Sequence, residues 1–206
     1  MFDIEIRSNL DQIQRKLNSF ANRQVPFAAA EALSSMATIV ADEERKNLEK
    51  VLDRPTPFTL RAIRIQKARK DRLYASVIVQ DITAAYLYPY EFGGLNKLNS
   101  SALLKPVDAR LNQYGNLPKS ALDRYKNRRD VFIGKVKTKI GDVNGVWQRI
   151  PPVKGKPGGL KLLVRFADAH EATQHLGWRS LAKRVVMQNL KKEFGKAMAK
   201  AIATAK

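Results

Sequence analysis

Trp178, Ala182, Val186, Leu190, Phe194, Met198 and Ile202 recur at every fourth position, with Leu181 and Val185 beside them. Lys183, Arg184, Lys191, Lys192, Lys196 and Lys200 fall between. A helix turns about 100° per residue, so this spacing gathers the apolar side chains into one stripe and sends the cations to the other face. Such a stripe needs a second apolar surface to cover it. A second helix begins near Val25-Pro26, which places proline in a first helical turn, where its missing amide costs no hydrogen bond. Ala28, Ala29, Ala30, Ala32, Ala37 and Ala41 then alternate with Leu33, Met36, Val40, Leu48 and Val51, a composition that allows close helix packing. Asp53-Arg54-Pro55-Thr56-Pro57 ends that helix, because each proline lacks an amide and pushes its predecessor out of the helical region.

Shorter patterns fill the rest. Phe2, Ile4 and Ile6 alternate with Asp3 and Glu5 as an edge strand would, and Ser8-Asn9 with Asp11 caps a first helix carrying Leu10, Ile13, Leu17 and Phe20. Thr59 to Lys67 and Leu73 to Gln80 read as a hairpin whose tip is Arg69-Lys70-Asp71-Arg72. Residues 95–130, with Pro106, Gly115 and Pro118 among many polar residues, read as an extended loop or insertion. Strand patterns return at Val131–Ile140, Gly145–Ile150 and Leu160–Phe166, the last two joined by a basic turn. The expected architecture is a single α+β domain over 1–206, with one antiparallel sheet covered by the Ala-rich N-terminal helix and the amphipathic C-terminal helix.

Charge bounds the function. The formal net charge is +19, yet residues 1–53 carry seven Lys/Arg against nine Asp/Glu, so the excess lies entirely beyond them. It concentrates in 54–74, 97–139 and 160–206, and a field of that sign draws nucleic acid or an acidic protein. Without cysteine there is no disulfide framework and no cysteine-held zinc. The acidic start and the absence of any apolar run near about 18 residues lead us to expect a soluble cytosolic protein with no membrane contact.

Catalytic and cofactor chemistry finds little to stand on. His170 and His175 would sit about 140° apart on a helix, where a zincin needs a four-residue step. Lys154-Gly155-Lys156-Pro157-Gly158-Gly159 lacks the Gly-Lys-Ser/Thr ending of a P-loop, and Ser100 and Ser101 have no base or nucleophile elbow near them in sequence. The acids after residue 53 are scattered, so we expect no enzyme, no catalytic residue, no metal and no cofactor.

A resemblance enters at Ala85 to Gly94, Ala-Tyr-Leu-Tyr-Pro-Tyr-Glu-Phe-Gly-Gly. A long N-terminal helix, a basic hairpin and then this tyrosine-rich segment resemble the tail-completion and minor tail proteins of tailed bacteriophages. Leu104-Lys105-Pro106, Leu111 through Pro118, Val131-Phe132-Ile133-Gly134 and Gly145-Val146-Trp147-Gln148-Arg149 are similar, in order, to segments of minor tail proteins of the lambda Z type. The resemblance implies a virion structural protein at the head-proximal tail or the head–tail neck, made in the host cytoplasm and partnered by neighbouring tail and neck proteins. It implies a homo-oligomeric ring, expected to be a hexamer, around the DNA channel, with nonspecific DNA contact. On this reading Tyr86, Tyr88, Tyr90, Glu91, Phe92, Gly93 and Gly94 form a subunit-interface or structural corner. Arg69, Lys70, Arg72, Lys191, Lys192 and Lys196 meet DNA or an acidic partner. The alternative expectation is a nonspecific nucleic-acid-binding protein using the same basic faces.

Overall fold

The computed structural model describes residues 14, 15, 18, 20–96 and 102–204. The expected strand at 2–6, the cap at 8–11 and Ser100-Ser101 lie outside them. The fold is α+β. Where the sequence suggests one domain, the chain divides into two compact units: residues 1–50, 57–83 and 177–206 in the first, and 51–56 and 84–176 in the second.

The first unit is built on two long helices. A π-helical turn over Phe20–Gln24 leads into α1 (Val25–Val51), which starts at the expected Val25-Pro26, and α5 (Trp178–Thr204) is the expected C-terminal helix. Their seam changes character along its length. Ala28, Ala32, Ala197 and Ala201 form one buried cluster with Met198 against it, while Met36, Val40 and Val185 form another. Rising numbers on α1 meet falling numbers on α5, so the helices run antiparallel. The second cluster also takes in Val77, which joins the helices to the hairpin of β1 (Ile63–Gln66) and β2 (Ser76–Val79). That hairpin is paired Ile63 to Val79 through Gln66 to Ser76. Its strands are shorter than expected because Pro57 opens a one-turn helix, α2 (Pro57–Leu60), that takes up Thr59. The Ser34 hydroxyl ties helix to hairpin by accepting the Ala68 amide at 3.1 Å and donating to the Ala30 carbonyl at 2.7 Å.

The sheet under the two helices is thus a two-stranded one. The larger sheet belongs to the second unit, where β4 (Leu103–Pro106), β7 (Gly159–Ala167), β6 (Gly141–Ile150) and β5 (Val131–Thr138) lie side by side in that order, all antiparallel. A two-residue turn joins β5 to β6: Thr138 pairs with Gly141, whose φ of 111° only glycine adopts readily. The core is Val131, Val146, Leu163 and Val164. Ala109, Leu117, Leu122 and Tyr125 pack on it, the last two from the short helix α4 (Ala121–Lys126). Residues 102–130 are therefore not the extended loop their composition suggests; they contribute a strand, a helix and one side of the core. The helix α3 (Asp81–Phe92) crosses the division between the units after Thr83 and leads into β3 (Gly94–Leu95), paired with β8 (Glu171–Ala172).

Candidate functional site

The tyrosine-rich segment is helical, although Pro89 lies inside it. Proline removes one amide, which is tolerable in a last turn because the helix is about to end. Gly93 makes that ending: its amide returns to the Pro89 carbonyl at 2.8 Å and its φ is 77°, the left-handed geometry of a residue just past a helix C-terminus. Gly94 follows at φ 102° and turns the chain into β3. A Cβ at Gly93 would meet the Gln174 side chain only at 3.5 Å, and one at Gly94 meets nothing within 4 Å. Backbone angle, rather than close approach, requires both glycines. Gly93→Val is expected to lower the unfolding free energy by about 1–2 kcal/mol, and Gly93→Asn by less, since asparagine visits this region; equal denaturant midpoints for the two variants would contradict it.

The aromatic residues divide between two tasks. Tyr90 is turned to its own unit: its ring stands edge-on to His175 at 5.1 Å, and its carbonyl accepts the amides of His175 and Leu176 at 2.9 and 3.0 Å. The Phe92 carbonyl accepts a hydrogen bond from the Gln174 side chain at 2.7 Å, which closes the corner. Tyr86 and Glu91 are half-buried. Tyr88 and Phe92 instead face outward, 61% and 41% exposed, with ring centroids 4.6 Å apart. One turn apart on a helix, they form a small aromatic plate.

The basic residues of the first unit lie on two elements. Arg69, Lys70 and Arg72 are exposed at the hairpin tip, held by reciprocal backbone hydrogen bonds between Arg69 and Arg72 of 3.0 and 2.9 Å. Lys191 and Lys192 are exposed on α5. Lys196 differs: its ammonium is 2.7 Å from Glu193, which also accepts the Ser35 hydroxyl at 2.7 Å. The lysine and then the serine hold the Glu193 carboxyl below its ordinary pKa, so Lys196 is already paired. The helix also leaves Met187, Leu190, Phe194 and Ile202 exposed. The apolar stripe expected at every fourth residue is only partly covered, because the close seam runs along the smaller Val185, Ala197 and Ala201.

A third place was not legible in the sequence. In the second unit an open cleft of about 430 Å³ has Arg110, Arg124, Arg128 and Lys161 around it. Leu111, Pro118, Ala121, Tyr125 and Leu163 supply apolar surface. Arg128 grips Asp130 with two hydrogen bonds, 3.0 and 2.5 Å, and Gln148 donates to the same carboxylate at 2.9 Å. Arg128 first, and Gln148 after it, hold the Asp130 carboxyl below its ordinary range against the opposing effect of desolvation. The only sequence signal was the density of cations in 119–129, where Lys119, Arg124, Lys126, Arg128 and Arg129 stand against Asp123 alone.

Among the described residues, no three His, Cys, Asp or Glu side chains are grouped so as to hold a metal ion, and no helix is long and apolar enough to cross a membrane. Compared with protein-family models, curated proteins and solved structures, the chain matches none.

Proposed function

We propose that this chain is a phage virion structural protein of the head-proximal tail or head–tail neck, assembling as a ring, a hexamer on our reading, around the DNA channel among neighbouring tail and neck proteins. The observation that carries the assembly part is the Tyr88–Phe92 plate: two large aromatic side chains held outward on a helix whose end is fixed by a glycine corner. Rigid, exposed aromatic anchors are what a subunit contact uses, since they bury large area at low entropic cost. Ring contacts are heterologous and close by rotation, so one such plate per subunit would suffice if it met a different patch on the next copy. The phage assignment rests on the ordered sequence resemblance. The exposed cations Arg69, Lys70, Arg72, Lys191 and Lys192 suit the DNA of the channel or an acidic neighbour, and Lys196 contributes less because Glu193 already neutralises it.

The mass of the purified chain, measured by light scattering with particle imaging, tests this reading. We expect a closed ring at high concentration, and Tyr88→Asp with Phe92→Asp to leave monomers by weakening assembly at least about tenfold. Rings that persist in the double variant would remove the plate from the interface. A chain that stays monomeric at every concentration and coats duplex DNA with a steep salt dependence would favour the alternative, a nonspecific nucleic-acid-binding protein.

A further inference from the structure

We propose that the cleft of the second unit is a nucleotide-binding site, taking one base and its phosphate from a single strand or from a free nucleotide. Its volume of about 430 Å³ suits one such unit and falls within the usual range of small-ligand sites. Its chemistry has two parts. The apolar part is firm: Leu111, Pro118 and Tyr125 present accessible surface to the cleft, and Ala121 and Leu163, 3% and 4% exposed, back it from the core, so a flat ring lies there without repacking the unit. The polar part is cationic and largely unspent. Arg110 has no hydrogen bond or ion pair among the described residues, and Arg124 donates only to the Ser120 carbonyl, at a long 3.4 Å.

Lys161 stands 4.0 Å from Asp108, a weak contact, and Arg128 is the one cation fully matched, by Asp130. Four cations therefore face two carboxylates, leaving two guanidinium forks whose planar donors fit the oxygens of a phosphate. An acidic peptide would satisfy the forks but would bring no flat ring to the apolar floor. A duplex would keep its base faces stacked and out of reach, whereas an unpaired base presents one. The inference stands on the cleft alone and does not require the ring assembly proposed above.

The test is the binding of a fluorescein-labelled dT oligonucleotide, followed by anisotropy across a salt series, with dTMP and inorganic phosphate as competitors. Arg110→Glu with Arg124→Glu is expected to weaken binding by about tenfold or more and to flatten the log–log salt slope by about 0.7, one single-strand phosphate contact. Both side chains are exposed, and Arg110→Gln with Arg124→Gln, expected to move in the same direction, guards against misfolding of the charge-reversed variant. Lys137→Glu with Lys139→Glu makes the same change of net charge on exposed residues outside the cleft, and should leave the slope nearly unaltered. Displacement by dTMP at the concentration of nucleotide in the strand identifies a free nucleotide as a sufficient ligand; displacement only by longer strands identifies the strand. Equal loss in the cleft and control variants, displacement by inorganic phosphate as readily as by dTMP, or no binding of any probe would each overturn the proposal.

Discussion

Gly145→Ala is expected to break the four-stranded sheet, whereas Gly134→Ala, directly opposite it across the β5–β6 ladder, should leave the sheet intact or slightly firmer. The two glycines are register partners on neighbouring strands, yet their surroundings differ. A Cβ at Gly145 would lie 2.2 Å from the Val164 carbonyl oxygen, 2.9 Å from a Leu162 methyl and 3.3 Å from the Arg165 Cα. Two of those three are backbone atoms of β7, so no rotamer change relieves the clash and β6 must separate from β7. Those strands carry Val146 and Val164, both fully buried, and separating them opens the core they share. Overpacking of this kind costs about 3 kcal/mol or more when the neighbour cannot yield. A Cβ at Gly134 meets nothing nearer than the Phe132 ring at 3.7 Å, an ordinary contact, and alanine in a strand is favoured over glycine by about 0.5–1 kcal/mol. Denaturant unfolding of the two variants side by side checks the contrast. Equal stabilities would mean that β6 and β7 are not packed as closely as described.

The regular elements were legible because each had a strong local signal. Val25-Pro26 and the prolines after Asp53 bracket α1, the fourfold apolar recurrence marks α5, and the alternation in 131–140, 145–150 and 160–166 marks three strands that the structure contains, with β6 extended back to Gly141. The failures were failures of non-local information. The two long helices do pack on an antiparallel pair of strands, β1 and β2, but nothing in a strand's own pattern says which strands it joins, so one sheet was expected where β4, β7, β6 and β5 form a separate one. Residues 102–130 have no period, and their core-packing members, Ala109, Leu117, Leu122 and Tyr125, stand isolated among polar residues. Their burial follows from β4 pairing with β7, a contact about sixty residues away in sequence. The cleft is illegible for the same reason: its four cations come from a loop, a short helix, the segment before β5 and the strand β7. At the corner, the need for Gly93 and Gly94 was readable from their type, while the division of Tyr88 and Phe92 from Tyr90 depended on a helix that Pro89 concealed.

The α1–α5 seam explains the alanine content of α1, and enlarging it should produce the other large loss. Ala28 and Ala32 are one turn apart, 0% and 2% exposed, and share a buried cluster with Ala197 and Ala201 on α5, at 5% and 2%. Four small side chains let two helix backbones approach closely; at the other end of the seam, Met36, Val40 and Val185 fill the corresponding space. Ala28→Leu with Ala32→Leu would add six carbons to a seam in which all four small side chains are already buried, so α5 must move away. Its movement would also strain the contacts that fix the helices beside the seam, the Lys200–Glu31 ion pair at 2.5 Å and the Ser35–Glu193 hydrogen bond. At about 1–3 kcal/mol for each overpacked site, and with the two sites too close to act independently, a loss of about 3 kcal/mol or more is expected. Hydrogen exchange gives the sharper reading. The amides of α1 and α5 should lose protection, while those of β5, β6 and β7 keep theirs, because no residue of that sheet belongs to the cluster. Adding Ala197→Gly to the double variant removes the facing Cβ and should recover part of the loss, even though glycine inside a helix costs about 1 kcal/mol by itself. If the third substitution only adds to the damage, the seam is not limited by the size of these side chains.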